Sequence, residues 1–397
     1  MSVWDDLVGQ HPVVEQLRSA VDASTPGGGA GPAGGGSAGG STSGKMAHAW
    51  LFTGPPGSGR STAARAFAAA LQCTETPRGC GHCASCHQVL QGTHADVEVI
   101  RPSGLSYGVK ETRELVLRAS SSPSGGRWQI VLFEGADRAT EAAANALLKA
   151  IEEPPPRTVW LMCTPSPEDM LMTIRSRCRL VTLRTPPVRA VADVLVQRDG
   201  IDAQLAELAA RAAQGHIGRA RRLATDPDAR KRRNDVLAVP RRLTSVGPAV
   251  IAAEALVKAA EAEAKVTAEE LNESETTALR QALGESAKGR MPRGTAGALK
   301  DLEDRQKSRA TRVKRDALDL ALLDLASYYR DVLTLQLGAG SDLVNSDLSA
   351  ELRTAAESGP PEATLRRLDA IMECRERLEA NVNPLLAVEA LTLALRI

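Results

Sequence analysis

Short, nearly unbroken apolar runs alternate with helix-forming stretches through the first half of the chain. The runs are AWLFTG (49–54), WQIVLFEGA (128–136) and VWLMCT (159–164). Without polar alternation they read as strands buried on both faces. STAARAFAAALQC (61–73) is rich in the strong helix formers Ala and Leu. ATEAAANALLKAIEE (139–153) has the same character until Pro154, Pro155 and Pro156 end it. Strand, helix and strand in repetition predict an α/β domain over residues 1–183, a parallel sheet covered by helices.

Beyond about residue 184 the strand signals stop. Residues 184–228 read as a small helical domain, with the pattern clearest over 188–224. Residues 229–397 read as a larger all-α domain whose last two helices fall near 361–380 and 383–397. Within it, about 250–315 is a charged insert, acidic from Glu254 to Glu275 and then basic, with ten Lys or Arg against three Asp or Glu over 288–315. A solvated helical insert is favoured over a face for DNA phosphates. Residues 26–44, PGGGAGPAGGGSAGGSTSG, contain almost nothing that can be buried and read as a flexible Gly-rich insert.

Composition narrows the class. The 397 residues are 43% hydrophobic and 24% charged, as in globular proteins, and only 3% aromatic, so Ala, Leu and Val must fill the cores. A net charge of +1 gives no global attraction to nucleic acid or membrane. No apolar run approaches the roughly 20 residues of a membrane span, and MSVWDDLVGQ does not read as a signal peptide, so a cytoplasmic protein is expected.

TGPPGSGRST (53–62) carries the first candidate chemistry. Gly54, Pro55, Pro56, Gly57, Ser58, Gly59, Ser61 and Thr62 follow the phosphate-loop pattern G-x-x-x-x-G-K-[ST], but the lysine position holds Arg60. A strand before this loop and a helix after it place backbone N–H groups and a helix N-terminus around phosphates. Arginine is bulkier, planar and forked, so binding of ATP or ADP is open while hydrolysis suffers. In nucleotide hydrolases of this type the later strand ends in Asp-Glu, for Mg²⁺ and for the attacking water. Here it ends in Glu134 and Gly135, and glycine cannot activate water.

Cys73, Cys80, Cys83 and Cys86 form the second candidate site, as CTETPRGCGHCASC. Four thiolates on one short segment match a closed tetrahedral Zn²⁺ shell, which is structural. His82 and His87 are read as solvated neighbours. Cys163, Cys178 and Cys374 are read as small apolar residues.

With these pieces in place the chain resembles the bacterial clamp-loader branch of the AAA+ ATPases. WDDLVGQHPVVEQL near the start, QGTHADVEVIRP after the cysteines, NALLKAIEEPP (145–155) and IRSRCRL (174–180) carry the likeness over the first 180 residues. NVNPLLAVEALTLAL resembles the family's C-terminal collar helices. The first cysteine spacing is two residues shorter than the family's, and 26–44 is extra.

The resemblance implies a P-loop NTPase domain, a helical lid and an all-α collar. It implies that Ser176, Arg177 and Cys178 are the Ser-Arg-Cys motif, whose arginine reaches the γ-phosphate of ATP on a neighbouring motor subunit. It places Thr164 at a γ-phosphate sensor, where capping the strand is an equal reading. It places Val8, Gly9 and Gln10 near adenine, where an ordinary turn is as good a reading, and Gly218 where an active motor has arginine. The implied role is a stator unable to hydrolyse ATP, in a ring with delta and gamma/tau subunits that loads a sliding clamp onto primed DNA. Such a chain belongs to a DNA-directed DNA polymerase assembly, although nothing in it could carry nucleotidyl transfer. An active gamma/tau-type ATPase is the alternative, and a free-standing zinc-stabilised binding module a third reading.

Overall fold

Each of the three apolar runs forms a strand, and two further strands flank them. The computed structural model describes residues 2–24, 46–101, 106–125, 127–282 and 296–396. The expected insert at 26–44 lies outside the described residues. The strands are β1 (Ala49–Thr53), β2 (Val97–Ile100), β3 (Gln129–Glu134), β4 (Thr158–Thr164) and β5 (Arg179–Thr182). Among the described residues they make one sheet in the order β2-β3-β4-β1-β5, with every neighbour parallel.

The helices of this half are α1 (His11–Ala23), α2 (Arg60–Gln72), α3 (Ala84–Gln91), α4 (Val109–Ala119), α5 (Glu141–Glu152), α6 (Met172–Arg175) and α7 (Val188–Asp199). Alternate strand residues serve opposite faces, as the period of two requires. Trp50, Phe52, Ile130, Leu132 and Leu161 share one cluster with α1, α2 and α3. Leu51, Val131, Phe133, Trp160 and Met162 share another with α4, α5 and α6. Both faces of β1 and β4 are therefore buried, which is why their sequences do not alternate.

Six buried alanines of α2, among them Ala66 and Ala70, let that helix lie close to the sheet, with Phe67 meeting Trp50 edge-on at 4.8 Å between ring centroids. Thr140 caps α5 by accepting from the Ala143 N–H, and the helix stops before Pro154.

The remaining helices are α8 (Ala203–Ala212), α9 (Ile217–Thr225), α10 (Pro227–Leu237), α11 (Val239–Arg242), α12 (Val246–Ala282), α13 (Ala296–Gln336), α14 (Ser349–Glu357), α15 (Pro361–Glu379) and α16 (Pro384–Ala394). The chain divides into a sheet unit, Met1–Asp199 with Gln214–Gly218, and a helical unit, Gly200–Ala213 with Arg219–Ile397. The 184–228 segment is thus shared: Val191 and Leu195 are buried with the first, while Arg219 pairs with Asp324 of the second at 2.5 Å.

The helical unit has its own core, built on Leu256, Leu318, Leu322, Tyr329, Ile371 and Leu391. Asp324 lies among those apolar residues but is answered by Arg219 and by Arg233 at 3.1 Å. Residues 249–264 of α12 contribute Ala249, Ala253, Ala260 and Ala264 to the interior, so the charged stretch expected from about 250 continues a core helix. Farther along the α12–α13 pair the contacts are polar. Arg309 makes a forked pair with Glu275, Gln306 donates to the Asn272 carbonyl at 3.1 Å, and Lys314 lies 2.5 Å from Glu261. Among the described residues no helix is long and apolar enough to cross a membrane.

Candidate functional site

The carboxyl ends of β1, β3 and β4 lie at one edge of the sheet, with Thr53 in register with Thr164 and Glu134 with Cys163. Crevices at this edge are where open α/β sheets take ligands. The turn from β1 into α2 needs glycine. Gly54 has φ 145° and Gly57 φ 84°, and a Cβ on Gly54 would meet the Leu183 carbonyl at 2.4 Å. A Cβ on Gly57 would meet the His216 side chain at 2.6 Å.

Beside this loop is a cavity of about 250 Å³ lined by Leu7, Val8, Gly57 to Thr62, Pro186, His216, Ile217 and Gly218. Val8 does line it. Gly9 has φ 70° at the turn before α1. Gln10 instead acts as a buried clip, its Nε2 donating to the carbonyls of Arg184 at 2.5 Å and Ser58 at 3.3 Å. Gly218 faces the cavity, and the adjacent arginine is the one paired with Asp324.

Arg60 opens α2 with its Nη1 buried and without a hydrogen-bond partner. Burial lowers its pKa from the usual guanidinium value, with Cys163, Asp137 and Asp169 opposing. A buried donor left in this way costs free energy unless an acceptor reaches it, so the residues present suit an anionic group at the loop. Asp137 is raised above the ordinary carboxylate range by burial, and its Oδ1 also lacks a partner.

β3 ends in Glu134, with Gly135 next in the chain. Glu134 accepts from Arg65 Nη2 at 2.6 Å on one oxygen and from Arg101 Nε at 3.3 Å on the other. Gly135 follows in the left-handed region with φ 66° and offers no side chain. Cys163 beside Glu134 is a fully buried thiol, pushed up to about 12 by burial. Thr164 donates to the Ser166 carbonyl at 2.9 Å, the geometry of a strand-end cap.

Sequence reasoning missed Arg65 and Arg101. Arg65 stands on the α2 face toward β3, but nothing local ties it to a glutamate 69 residues later.

Ser176, Arg177 and Cys178 lie between α6 and β5. Arg177 Nη2 is 2.7 Å from Glu152 Oε1, and its Nη1 donates to the Thr173 carbonyl at 2.7 Å and to Ser176 Oγ at 3.3 Å. Cys178 is turned inward toward the Ile174 carbonyl, and burial pushes its thiol up to about 12.

The four cysteines of the second site converge from the end of α2, the loop after it and the start of α3, with all Sγ atoms within 4.8 Å of one another. Cys73 Sγ lies 3.7 Å from Cys80 Sγ and 3.9 Å from Cys83 Sγ. Tetrahedral Zn–S bonds of about 2.3 Å require S···S separations of about 3.8 Å, so the cluster could hold zinc. Cys83 is lowered to about 6: burial opposes ionisation, but hydrogen bonds from Cys86, Thr74 and Cys80 outweigh it. His82 and His87 are exposed. The loop is tied to the N-terminal segment by the Val3 N–H on the Gly79 carbonyl at 3.0 Å.

Two family models match the chain: DNA polymerase III, delta subunit, over residues 39–187, and DNA polymerase III, delta subunit, C terminal, over 314–396. DNA polymerase III subunit delta' of Bacillus subtilis is 27% identical over 353 residues, 89% of this chain and 92% of that one. DNA polymerase III subunit delta' of Escherichia coli is 38% identical over 150 residues, 36% of this chain and 45% of its own. DNA polymerase III subunit gamma/tau of Mycobacterium tuberculosis is 33% identical over 195 residues, 48% of this chain, which spans 30% of that relative's length. The sheet unit with its degenerate loop, the helical C-terminal unit and the near full-length match agree: the chain belongs to the delta-prime family of DNA polymerase III clamp-loader subunits.

Proposed function

We propose that the chain is a non-hydrolysing stator in a clamp-loader ring with delta and gamma/tau subunits, through which it helps place a sliding clamp on primed DNA. The observation that carries this reading is the end of β3. Its first carboxylate is engaged by two guanidiniums, and Gly135 stands where a water-activating glutamate is required.

The chain's own contribution would come from Arg177. A guanidinium supplied in trans stabilises charge growing on the transferred phosphoryl group of a neighbour's ATP. Arg177 is two-fifths exposed and held only by surface groups, so it can be drawn out. Zinc held by Cys73, Cys80, Cys83 and Cys86 would supply folding free energy, since a closed shell leaves no position for substrate.

ATP turnover by the isolated chain is expected at background level, and turnover comparable with a competent motor subunit would overthrow the stator role. Arg177→Ala is expected to leave the fold intact and to lower DNA-stimulated ATPase of the assembled complex. Unchanged turnover would remove the arginine from the mechanism. An active gamma/tau-type ATPase is the second reading, favoured by the identity to gamma/tau relatives and the intact loop geometry.

A further inference from the structure

Magnesium demands near-ideal octahedral oxygen ligation and loses its waters reluctantly. The groups that would receive it in a phosphate-loop site are the hydroxyl at the head of the helix and the carboxylate closing the facing strand. The carboxylate is committed elsewhere: the two Glu134 oxygens are taken separately by Arg65 and Arg101. The Arg65–Glu134 pair is partly withdrawn from solvent, with side-chain exposures of 30% and 17%, so water screens it less than a surface pair.

A divalent cation at this carboxylate would meet two positive charges before any phosphate arrived. Asp137 is no substitute, because burial disfavours its charged form. The residues present therefore do not fit Mg²⁺, although the loop fits phosphate. Arg60 replaces the usual compact lysine with a fork whose inner Nη1 is buried and unanswered. A guanidinium can form two parallel bonds to phosphate oxygens, a neutralisation otherwise shared with the metal.

We infer that this site takes the phosphate chain of a nucleoside di- or triphosphate without a divalent cation, Arg60 and the loop N–H groups supplying the countercharge. This rests on the nucleotide reading of the loop and is independent of the stator role.

The test is calorimetric titration of ADP and of ATP into the full chain, once with Mg²⁺ and once with EDTA. The dissociation constant is expected to change by less than about 3-fold between the two buffers, and Arg60→Ala to weaken binding by about 10-fold in both. In the Arg65→Ala, Arg101→Ala double variant, checked for folding by circular dichroism, Glu134 is released. Mg²⁺ should then tighten binding by about 10-fold.

Manganese titration followed by electron paramagnetic resonance gives a second readout that needs no variant, and no Mn²⁺ should be held by the ADP-saturated chain beyond what ADP itself binds in solution. Loss of wild-type affinity in EDTA, protein-held Mn²⁺, or no nucleotide binding in either buffer overturns the inference. Whether the chain enters a larger complex with delta and gamma/tau subunits, read by size, decides the stator role separately.

Discussion

Arg177 and Glu152 form a pair in which each side chain is about two-fifths exposed, 40% and 43%. Exposed pairs contribute about 0–1 kcal/mol, so this one can rest the guanidinium without locking it. Glu152→Gln is accordingly expected to change turnover of the assembled complex by no more than about 5-fold, the equivalent of about 1 kcal/mol. A loss as deep as that of Arg177→Ala would mean that Glu152 has a part of its own in the transition state.

At this scale the sequence was informative where chemistry is local. Arg60, Gly135 and the cysteines are visible in short patterns, whereas the Arg65–Glu134–Arg101 cluster is made only when β2, β3 and α2 come together.

Among the elements, β1, β3 and β4 were legible because they are central and buried on both faces, which leaves an unbroken apolar signature. β2 and β5 were not, because they are the sheet's two edges. VEVI carries Glu98, paired with Arg118 at 2.7 Å, and RLVT carries Arg179, stacked over Trp50 at 4.9 Å. Charges of this kind blunt an edge against further pairing and erase the pattern by which a strand is recognised.

The cysteine segment has little apolar surface of its own, and its thiols are held together by the end of α2 and the start of α3. Verified stripping of metal is expected to lower the thermal midpoint of the sheet unit without altering the helical one. A midpoint that stays put after chelation would show that the thiols hold no structural ion.

For the whole chain, two compact units, each with its own buried core, predict two separable unfolding transitions rather than one. Phe67→Ala should destabilise the sheet unit by about 3–5 kcal/mol, because the ring is fully buried against Trp50. Asp324→Ala should cost the helical unit about 3–5 kcal/mol, because it removes the carboxylate shared by the largely buried guanidiniums of Arg219 and Arg233. Denaturant titration followed by circular dichroism and by tryptophan fluorescence distinguishes the two, since all four tryptophans, Trp4, Trp50, Trp128 and Trp160, lie in the sheet unit. A single transition moved equally by both substitutions would refute the division.

The long α12–α13 pair adds a consequence of its own. At 37 and 41 residues, the two helices run about 55–60 Å, far beyond what the core they leave can grip. Near the root, alanine and leucine hold them together; farther out, ionic and amide contacts take over. Raising ionic strength should therefore open the pair from its outer end inward, as a zip is undone, while the root stays shut.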